Sequence, residues 1–244
     1  MEFRRVLFRS KDPPLTIEKR VASKLLDLHR SEAITAPLYC HLCPSASTCP
    51  RFFGQPKIHK PDTPLRPIVS SRGSPTYETA RHLTSNLQPL VGNIPHHIAN
   101  SSQFVDITRS LTLDSSDIMV SFDVVNLFTN VPTEKACHLT KQRLASDTSL
   151  SERTLLSANQ IAELIVQLCV TSSYFQFQGK FYEQMAGTSM GSPISPVLAN
   201  IFMEEFEMST LLTADHKPGL WLRYVDDTFI IWPHGQELLQ EFLT

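Results

Sequence analysis

Three aspartates lie in apolar surroundings, where strand-forming sequences normally avoid acids. Asp226 and Asp227 are adjacent within the segment 224–227, and strand-like apolar residues flank them on both sides. Asp123 lies near the end of a second apolar run, far earlier in the chain. Neighbouring carboxylates repel each other, and a bound cation would offset that repulsion. A type I′ hairpin turn, in which aspartate is common, is the purely structural alternative for the adjacent pair.

Carboxylates presented from neighbouring strands meet the requirement of two-metal phosphoryl transfer, in which acids bridge ions about 3.5–4 Å apart. We predict that Asp123 and Asp226 bridge the two ions and that Asp227 is a third, more peripheral ligand. Mg²⁺ suits such a site, with Mn²⁺ as a substitute, because it prefers oxygen ligands and completes its coordination with substrate phosphates. One ion would lower the pKa of an attacking hydroxyl, and the other would neutralise the leaving group.

The elements that must position these acids can be predicted from apolar periodicity. Residues 118–125 form a strand pattern, and residues 220–232 form a strand, a turn at the acids and a second strand. Residues 31–56 contain proline and serine without periodicity and are predicted to be irregular. The whole pattern indicates an α+β fold with an antiparallel sheet. Its other predicted elements are helices at 16–28, 76–90, 160–170 and from Ser195, a strand–turn–strand loop at 57–75 and a hairpin at 174–182.

Composition and charge narrow the class of protein. With 244 residues, 41% hydrophobic and 19% charged, the chain can bury a globular core. No apolar run approaches the roughly 20 residues of a membrane span, so no membrane association is expected. The net charge is −2, yet the segment from Arg51 to Arg81 carries six basic residues against two acidic ones. That segment is either a solvated basic loop or a surface for nucleic acid.

The cysteines offer a weaker signal. Cys40 and Cys43 have CxxC spacing, and Cys49 follows, but His41 between them is poorly placed to supply a fourth ligand. Free cysteines in a loop are therefore favoured over a zinc site. An odd count of five, without a secretory signal, indicates reduced thiols inside the cell.

Four ordered blocks carry a resemblance that covers most of residues 52–242. The sequence resembles reverse transcriptases, and specifically those of Penelope-like retroelements. The blocks are GQPKIHKP through LRPIVSS at 54–71, SFDVVNLF at 121–128, FYEQ through MGSPISPVLANIFME at 181–204, and RYVDDTF at 223–229.

The resemblance implies roles for five residues besides the acids. Lys57 and Arg66 would contact the triphosphate, which makes the basic segment part of the fingers. Phe128 would stack under the incoming sugar and exclude a 2′-hydroxyl. Gly191 would let the backbone approach the templating base pair closely. Tyr224 would belong to the substrate-binding set.

The implied activity is that of an RNA-directed DNA polymerase, with an RNA template, a DNA primer and a deoxynucleotide as partners. The primer 3′-hydroxyl would attack the α-phosphate, and the family implies a nuclear location. The alternative is a degenerate retroelement remnant with no catalytic function. A viral or telomerase-type relative is disfavoured by the block at 57–71, which is similar to Penelope-like elements.

The resemblance also predicts the domain organisation. Residues 1–12 look like the translation of a sequencing adapter and are expected to be disordered. A helix and irregular linker would occupy 13–51, the fingers 52–115, and a palm 116–244 that stops before a thumb. No segment resembles the GIY-YIG endonuclease of many Penelope-like elements.

Overall fold

The structure is a computed structural model that describes residues 3–5, 13–58, 60–171 and 173–243. The elements include a short 3₁₀ helix, Gln88–Leu90, in addition to the strands and helices named below. The strands are β1 (Phe3–Arg5), β2 (Arg51–Pro56), β3 (Leu65–Ser70), β4 (Ile118–Asp123), β5 (Tyr174–Phe177), β6 (Lys180–Gln184), β7 (Leu220–Tyr224) and β8 (Asp227–Trp232). The helices are α1 (Pro13–Arg30), α2 (Ala36–Leu42), α3 (Tyr77–Leu87), α4 (Ser101–Arg109), α5 (Leu127–Asn130), α6 (Thr133–Ser146), α7 (Leu150–Arg153), α8 (Ala158–Thr171), α9 (Ser195–Thr213) and α10 (Gly235–Phe242).

The chain divides into two compact units that are discontinuous in sequence. The first unit comprises residues 1–89 and 128–199, and the second comprises 90–127 and 200–244. The sequence-based regions, fingers at 52–115 and palm at 116–244, are continuous segments and stay a prediction. Among the described residues, no helix combines the length and hydropathy that crossing a bilayer requires.

A five-stranded sheet in the order β1-β6-β5-β2-β3 forms the centre of the first unit. Its neighbours are antiparallel except β2 and β5, which run parallel and pair at Arg51 and Gln176. The β5–β6 hairpin turns at Gln178 and Gly179, whose φ angles are 49° and 72°. Positive φ at both loop residues is the type I′ pattern, so the hairpin predicted at this Gln-Gly step is confirmed.

Two helices of this unit bury the apolar stripes that periodicity predicted. Helix α1 extends beyond the predicted 16–28, and α8 covers the predicted 160–170. The apolar side chains spaced three and four apart lie inside, as the helical period requires. The buried positions are Ile17, Val21, Leu25 and Leu28 in α1 and Ile161, Leu164, Ile165 and Leu168 in α8.

The prediction of irregular structure for residues 31–56 is wrong in two places. Helix α2 forms there because Thr35 caps it, its hydroxyl accepting from the Leu38 N–H, and a proline in the first turn costs no hydrogen bond. Strand β2 forms because β3 and β5 supply its backbone partners.

Cys40 and Cys43 are free, as predicted, but one of them is not in a loop. Cys40 lies in α2 rather than in a loop, and Cys43 caps the end of that helix. The Cys43 thiol donates to the Tyr39 hydroxyl at 3.8 Å, and this contact raises the pKa of Tyr39.

The expected disorder of residues 1–12 is wrong for the three residues of β1. Phe3, Arg4 and Arg5 pair antiparallel with β6, from Gln184 back to Tyr182. They do so because β6 otherwise presents a free edge of backbone donors and acceptors. The remaining residues of that segment lie outside the described residues.

The second unit contains a three-stranded antiparallel sheet in the order β4-β8-β7. One face packs on α10 and carries the core, whereas Met119, Ser121 and Asp123 of β4 are exposed on the other face. This alternation is the period of two expected for a strand covered on one side. The core consists of Trp221, Ile230, Trp232 and Leu239, with Ile118, Val120, Phe122, Leu211, Leu238 and Phe242 packed against it.

Candidate active site

The strand register brings two of the three predicted acids face to face. Asp123, the last residue of β4, pairs with Asp227, the first residue of β8. The Val124 N–H donates to the Asp226 carbonyl at 2.9 Å, so the Asp123–Asp227 pair is of the non-hydrogen-bonded kind. In such pairs the Cα atoms are about 4.5 Å apart and the side chains lie close together on one face. Both carboxylates are exposed to solvent.

The third acid lies in the hairpin loop. Tyr224 and Asp227 form the last pair of β7 and β8, which leaves Val225 and Asp226 as a two-residue loop. Val225 has φ +57°, and Asp226 is not among the residues with positive φ. This is the pattern of a type II′ turn, where glycine is usual, rather than the type I′ alternative considered from sequence. A β-branched residue in this conformation costs about 1–3 kcal/mol.

These acids fit a divalent cation that substrate helps to hold. Within the described ranges, no group of three or more His, Cys, Asp or Glu side chains could hold a metal ion by itself. Mg²⁺ needs fewer protein ligands, because it keeps several water ligands beside one or two carboxylates, and substrate phosphates add further oxygens when they are present. The Asp123–Asp227 pair meets that requirement, and Asp226 adjoins it along the chain. The bridging role assigned to Asp226 stays a prediction.

An open groove of about 470 Å³ lies beside the acids within the second unit. Ser121 and Phe229 line it from the sheet, and Phe104 of α4 closes one side by an edge-on contact to Phe229 at 5.3 Å between ring centroids. Tyr224, which is 51% exposed, lines the groove next to Asp227. The groove therefore combines an aromatic wall with a carboxylate at one end.

Beneath the loop, on the other face of the sheet, lies a buried ion pair. Arg223 Nε donates to Glu207 Oε1 at 2.7 Å, and neither side chain is exposed. Arg223 Nη1 also donates to Asn200 Oδ1 at 3.0 Å and to the Val225 carbonyl at 2.8 Å. Glu207 Oε1 accepts a further bond from Trp221 Nε1 at 3.0 Å. Removing one partner of such a pair costs about 3–5 kcal/mol, because the other charge stays buried.

Sequence reasoning assigned no role to this buried group. A usable signal was present, since Asn200, Glu204 and Glu207 stand at i, i+4 and i+7 in a helix rich in apolar residues and therefore share one face of α9. Both glutamates are buried, and Glu204 Oε1 accepts from the Gly92 N–H at 2.7 Å. A polar stripe on the buried face of a helix indicates hydrogen-bond partners elsewhere in the fold.

The predicted triphosphate ligands lie in the first unit, at one end of the β2–β3 hairpin. Lys57 follows β2 and its N–H donates to the Pro64 carbonyl at 2.9 Å, which closes the loop between the strands. Arg66 is exposed on β3 and pairs with Gln55. The two cationic residues therefore belong to the same end of one hairpin. Their contact with a triphosphate stays a prediction.

Gly191 makes a close backbone approach within the first unit, and the partner is strand β3. Its φ is +121°, and an added Cβ would lie 2.4 Å from the Val69 carbonyl oxygen. The Val69 N–H donates to the Met190 carbonyl at 2.8 Å, and the Ser71 hydroxyl donates to the Gly191 carbonyl at 2.9 Å. Glycine is needed here for packing against β3, and the predicted contact with the templating pair is untested.

Phe128 is half-buried, and its backbone is held by the loop that contains Gly187 and Thr188. Its carbonyl accepts from the Thr188 N–H at 2.7 Å and from the Thr188 hydroxyl at 3.1 Å. Gly187 makes this approach possible, because a Cβ there would lie 2.4 Å from the Thr129 backbone. The predicted role of the Phe128 ring against a 2′-hydroxyl stays a prediction.

Comparison with known proteins gives one family and a set of structural neighbours. The family described as reverse transcriptase (RNA-dependent DNA polymerase) matches residues 58–244. Among curated proteins, none matches the sequence significantly. Apo telomerase from Candida tropicalis is 14% identical with a TM-score of 0.53, over 93% of this chain and 44% of that chain.

Two further telomerase structures, each in complex with a TWJ fragment of telomeric RNA, are similar. The one from Candida tropicalis is 15% identical with a TM-score of 0.55, over 81% of this chain and 38% of that chain. The one from Candida albicans is 12% identical with a TM-score of 0.55, over 90% and 43%. The chain thus spans less than half the length of these neighbours, and at such identities the likeness shows the fold alone.

Proposed function

The chain belongs to the reverse transcriptase (RNA-dependent DNA polymerase) family, and on that premise we propose that it is the nucleotidyl-transfer core of a retroelement enzyme. The reaction adds a deoxynucleotide to the 3′-hydroxyl of a DNA primer on an RNA template. The observation that carries the proposal is the facing of Asp123 and Asp227 at the end of a sheet, with Asp226 in the adjoining loop.

The acids have a defined task in this reaction. Asp123, Asp226 and Asp227 hold two divalent ions, Mg²⁺ or Mn²⁺, beside the groove of the second unit. When bound, the ions would neutralise phosphate charge and activate the primer hydroxyl. Facing carboxylates on paired strands favour this task because the sheet fixes their separation before substrate arrives.

The other predicted residues act on the substrates. Lys57 and Arg66 bind the triphosphate, and the planar guanidinium of Arg66 suits two phosphate oxygens. Phe128 selects against a 2′-hydroxyl, the loop at Gly191 supports the templating base pair, and Tyr224 contacts substrate from the groove wall.

We assign the retroelement to the Penelope-like group on the four ordered sequence blocks, with the block at 57–71 disfavouring a viral or telomerase-type relative. We assign the protein to the nucleus from that family resemblance alone. The telomerase neighbours are named for telomeric RNA complexes, but their low identity supports only a shared architecture.

Primer extension tests the proposal. Asp123→Asn keeps the size of the side chain but loses charge, so extension of a DNA primer on an RNA template should fall by more than about 100-fold, the value of several kcal/mol of charge stabilisation. Asp215→Asn, which changes an exposed acid between α9 and β7, is the matched control and should extend normally. Extension that survives Asp123→Asn at full rate contradicts the proposed metal site.

A further inference from the structure

The loop that carries Asp226 is held in a conformation that its sequence does not favour. Val225 has positive φ, and a β-branched side chain destabilises that region of backbone space. Such a loop keeps its shape only if the surroundings determine it more strongly than the local preference does. The question is therefore which contacts hold Val225 and Asp226 in place.

Two hydrogen bonds hold the carbonyls of the two loop residues. The Asp226 carbonyl accepts from the Val124 N–H of the chain that leaves β4, which is a main-chain bond and independent of side-chain type. The Val225 carbonyl accepts from Arg223 Nη1 at 2.8 Å. Of these two, the bond from the Arg223 guanidinium is the one that a side chain supplies.

The guanidinium is itself fixed from several directions. Glu207 accepts a hydrogen bond from Arg223 Nε, and Asn200 accepts one from Nη1. Helix α9 therefore sets the plane and the position of the guanidinium. Trp221 Nε1 in turn holds Glu207. A lysine could keep the charge beside Glu207, but its single ammonium cannot reproduce the fork of donors that reaches helix and loop together.

This buried group is poorly explained by stability alone. Arg223 Nη2, Glu207 Oε2 and Thr228 Oγ1 are buried without a hydrogen-bond partner. Ion pairs that are incompletely satisfied often stabilise a fold less than apolar side chains of similar volume. The bond to the strained loop is the contact that apolar side chains could not replace.

We propose that Arg223 is a positioning residue for the acids: its guanidinium, fixed by Glu207 and Asn200 of α9, holds the Val225 carbonyl so that the loop presents Asp226 and Asp227 beside Asp123. The inference rests on the proposed metal site and adds the group that shapes it. It requires no contact between Arg223 and metal or substrate.

Mn²⁺ affinity without nucleic acid is the direct readout, measured by the loss of the free-ion EPR signal and set beside the melting temperature. Arg223→Lys should weaken Mn²⁺ binding by roughly 10-fold, the loss typical when a group that orients metal ligands is removed. Trp232→Phe is the matched control, since it removes a buried indole bond to the Gly235 carbonyl in the same unit. It should lower the melting temperature and leave Mn²⁺ affinity within about twofold, because it leaves the metal-orienting contacts intact.

A second variant removes the buried charges together. In Arg223→Met/Glu207→Gln, the methionine fills the space, and the glutamine keeps an acceptor for Trp221, so no unpaired charge is buried. This variant should fold with near-normal stability and still lose Mn²⁺ affinity, which separates positioning from stability. It also keeps the test valid if Arg223→Lys does not fold.

Glycine at the strained position supplies a rescue. Val225→Gly makes positive φ accessible without an external bond, so the loss caused by Arg223→Lys should shrink to under about threefold in that background. An equal loss of Mn²⁺ affinity in both backgrounds overturns the proposal. The proposal is also overturned if Trp232→Phe loses as much Mn²⁺ affinity as Arg223→Lys for the same fall in melting temperature. If Asp123→Asn binds Mn²⁺ like the unmodified chain, the metal site itself fails; if it does not but both Arg223 variants bind normally, only the positioning role fails.

Discussion

Two β-hairpins of this molecule carry predicted ligands, and they are built in opposite ways. The β7–β8 hairpin of the second unit is largely buried, with a two-residue loop and a buried arginine beneath it. The β2–β3 hairpin of the first unit is largely exposed, and residues 57–64 connect its two strands. The first presents acids and the second presents bases.

The difference matches what each kind of ligand needs. Carboxylates that hold a metal must be fixed within fractions of an ångström, and a buried hairpin provides that rigidity. Long basic side chains that gather phosphate tolerate adjustment of the backbone, and an exposed hairpin opens locally at low cost in free energy. On the proposed roles, the fixed geometry for chemistry and the adaptable surface for triphosphate binding belong to different units.

The largest expected effect tests the burial side of this comparison. Trp232→Ala should lower the free energy of unfolding by about 3–5 kcal/mol, because it empties the centre of the second unit's core. Phe53→Ala, on the exposed hairpin, should cost under about 1 kcal/mol, since its ring is 48% exposed. Urea denaturation measures both, and equal losses would show that the two hairpins are supported alike.

The next effect sharpens the roles of the two acids at the rigid hairpin. Asp226→Asn should lower kcat by more than about 100-fold, and Asp227→Asn by less, if Asp226 bridges both ions. The register, which places Asp227 opposite Asp123, makes the reverse order the informative alternative. Single-turnover primer extension at saturating Mg²⁺ distinguishes them.

A smaller effect concerns the exposed hairpin. Arg66→Ala should raise the KM for deoxynucleotide by about 10-fold, the value of one charge-assisted hydrogen bond, with little change in melting temperature. Arg66→Lys should recover part of that loss, because it restores charge without the paired donors. An unchanged KM in Arg66→Ala would remove this hairpin from the triphosphate site.

The smallest effect gives a baseline for an ion pair with no link to either hairpin. The hydrogen bond from Arg153 is the main cause that lowers the pKa of Asp147 from its ordinary value of 3.8, and Ser149 adds to it. Asp147→Asn should therefore cost roughly 1–2 kcal/mol at neutral pH and leave Mn²⁺ affinity unchanged. Because the folded-state pKa is depressed, this stabilisation is present above pH 3.8 and is lost as the pH falls through that lowered value. Urea midpoints for both proteins should converge at acid pH; a constant gap would contradict the assignment.

Much of the fold could be predicted because its signals are local. The stripes of α1 and α8, the Gln178-Gly179 turn and the strands around the acids follow from periodicity and turn chemistry. Strand β1 was missed because its partner β6 is far away in sequence. Strand β2 was missed although it pairs with the following β3, and its other partner, β5, is distant. Helix α2 was missed because proline and serine hid a capped first turn.

The sequence by itself determined which residues could do chemistry: acids in apolar strands, a basic segment and ordered blocks of one polymerase family. The tertiary structure alone decided that Asp227 faces Asp123, since strand register depends on pairing between distant segments. It alone also decided that Arg223 is turned inward to hold the Val225 carbonyl. Strand register and the partners of a buried charged side chain are properties of the assembled core, and the local pattern of apolar residues does not encode them.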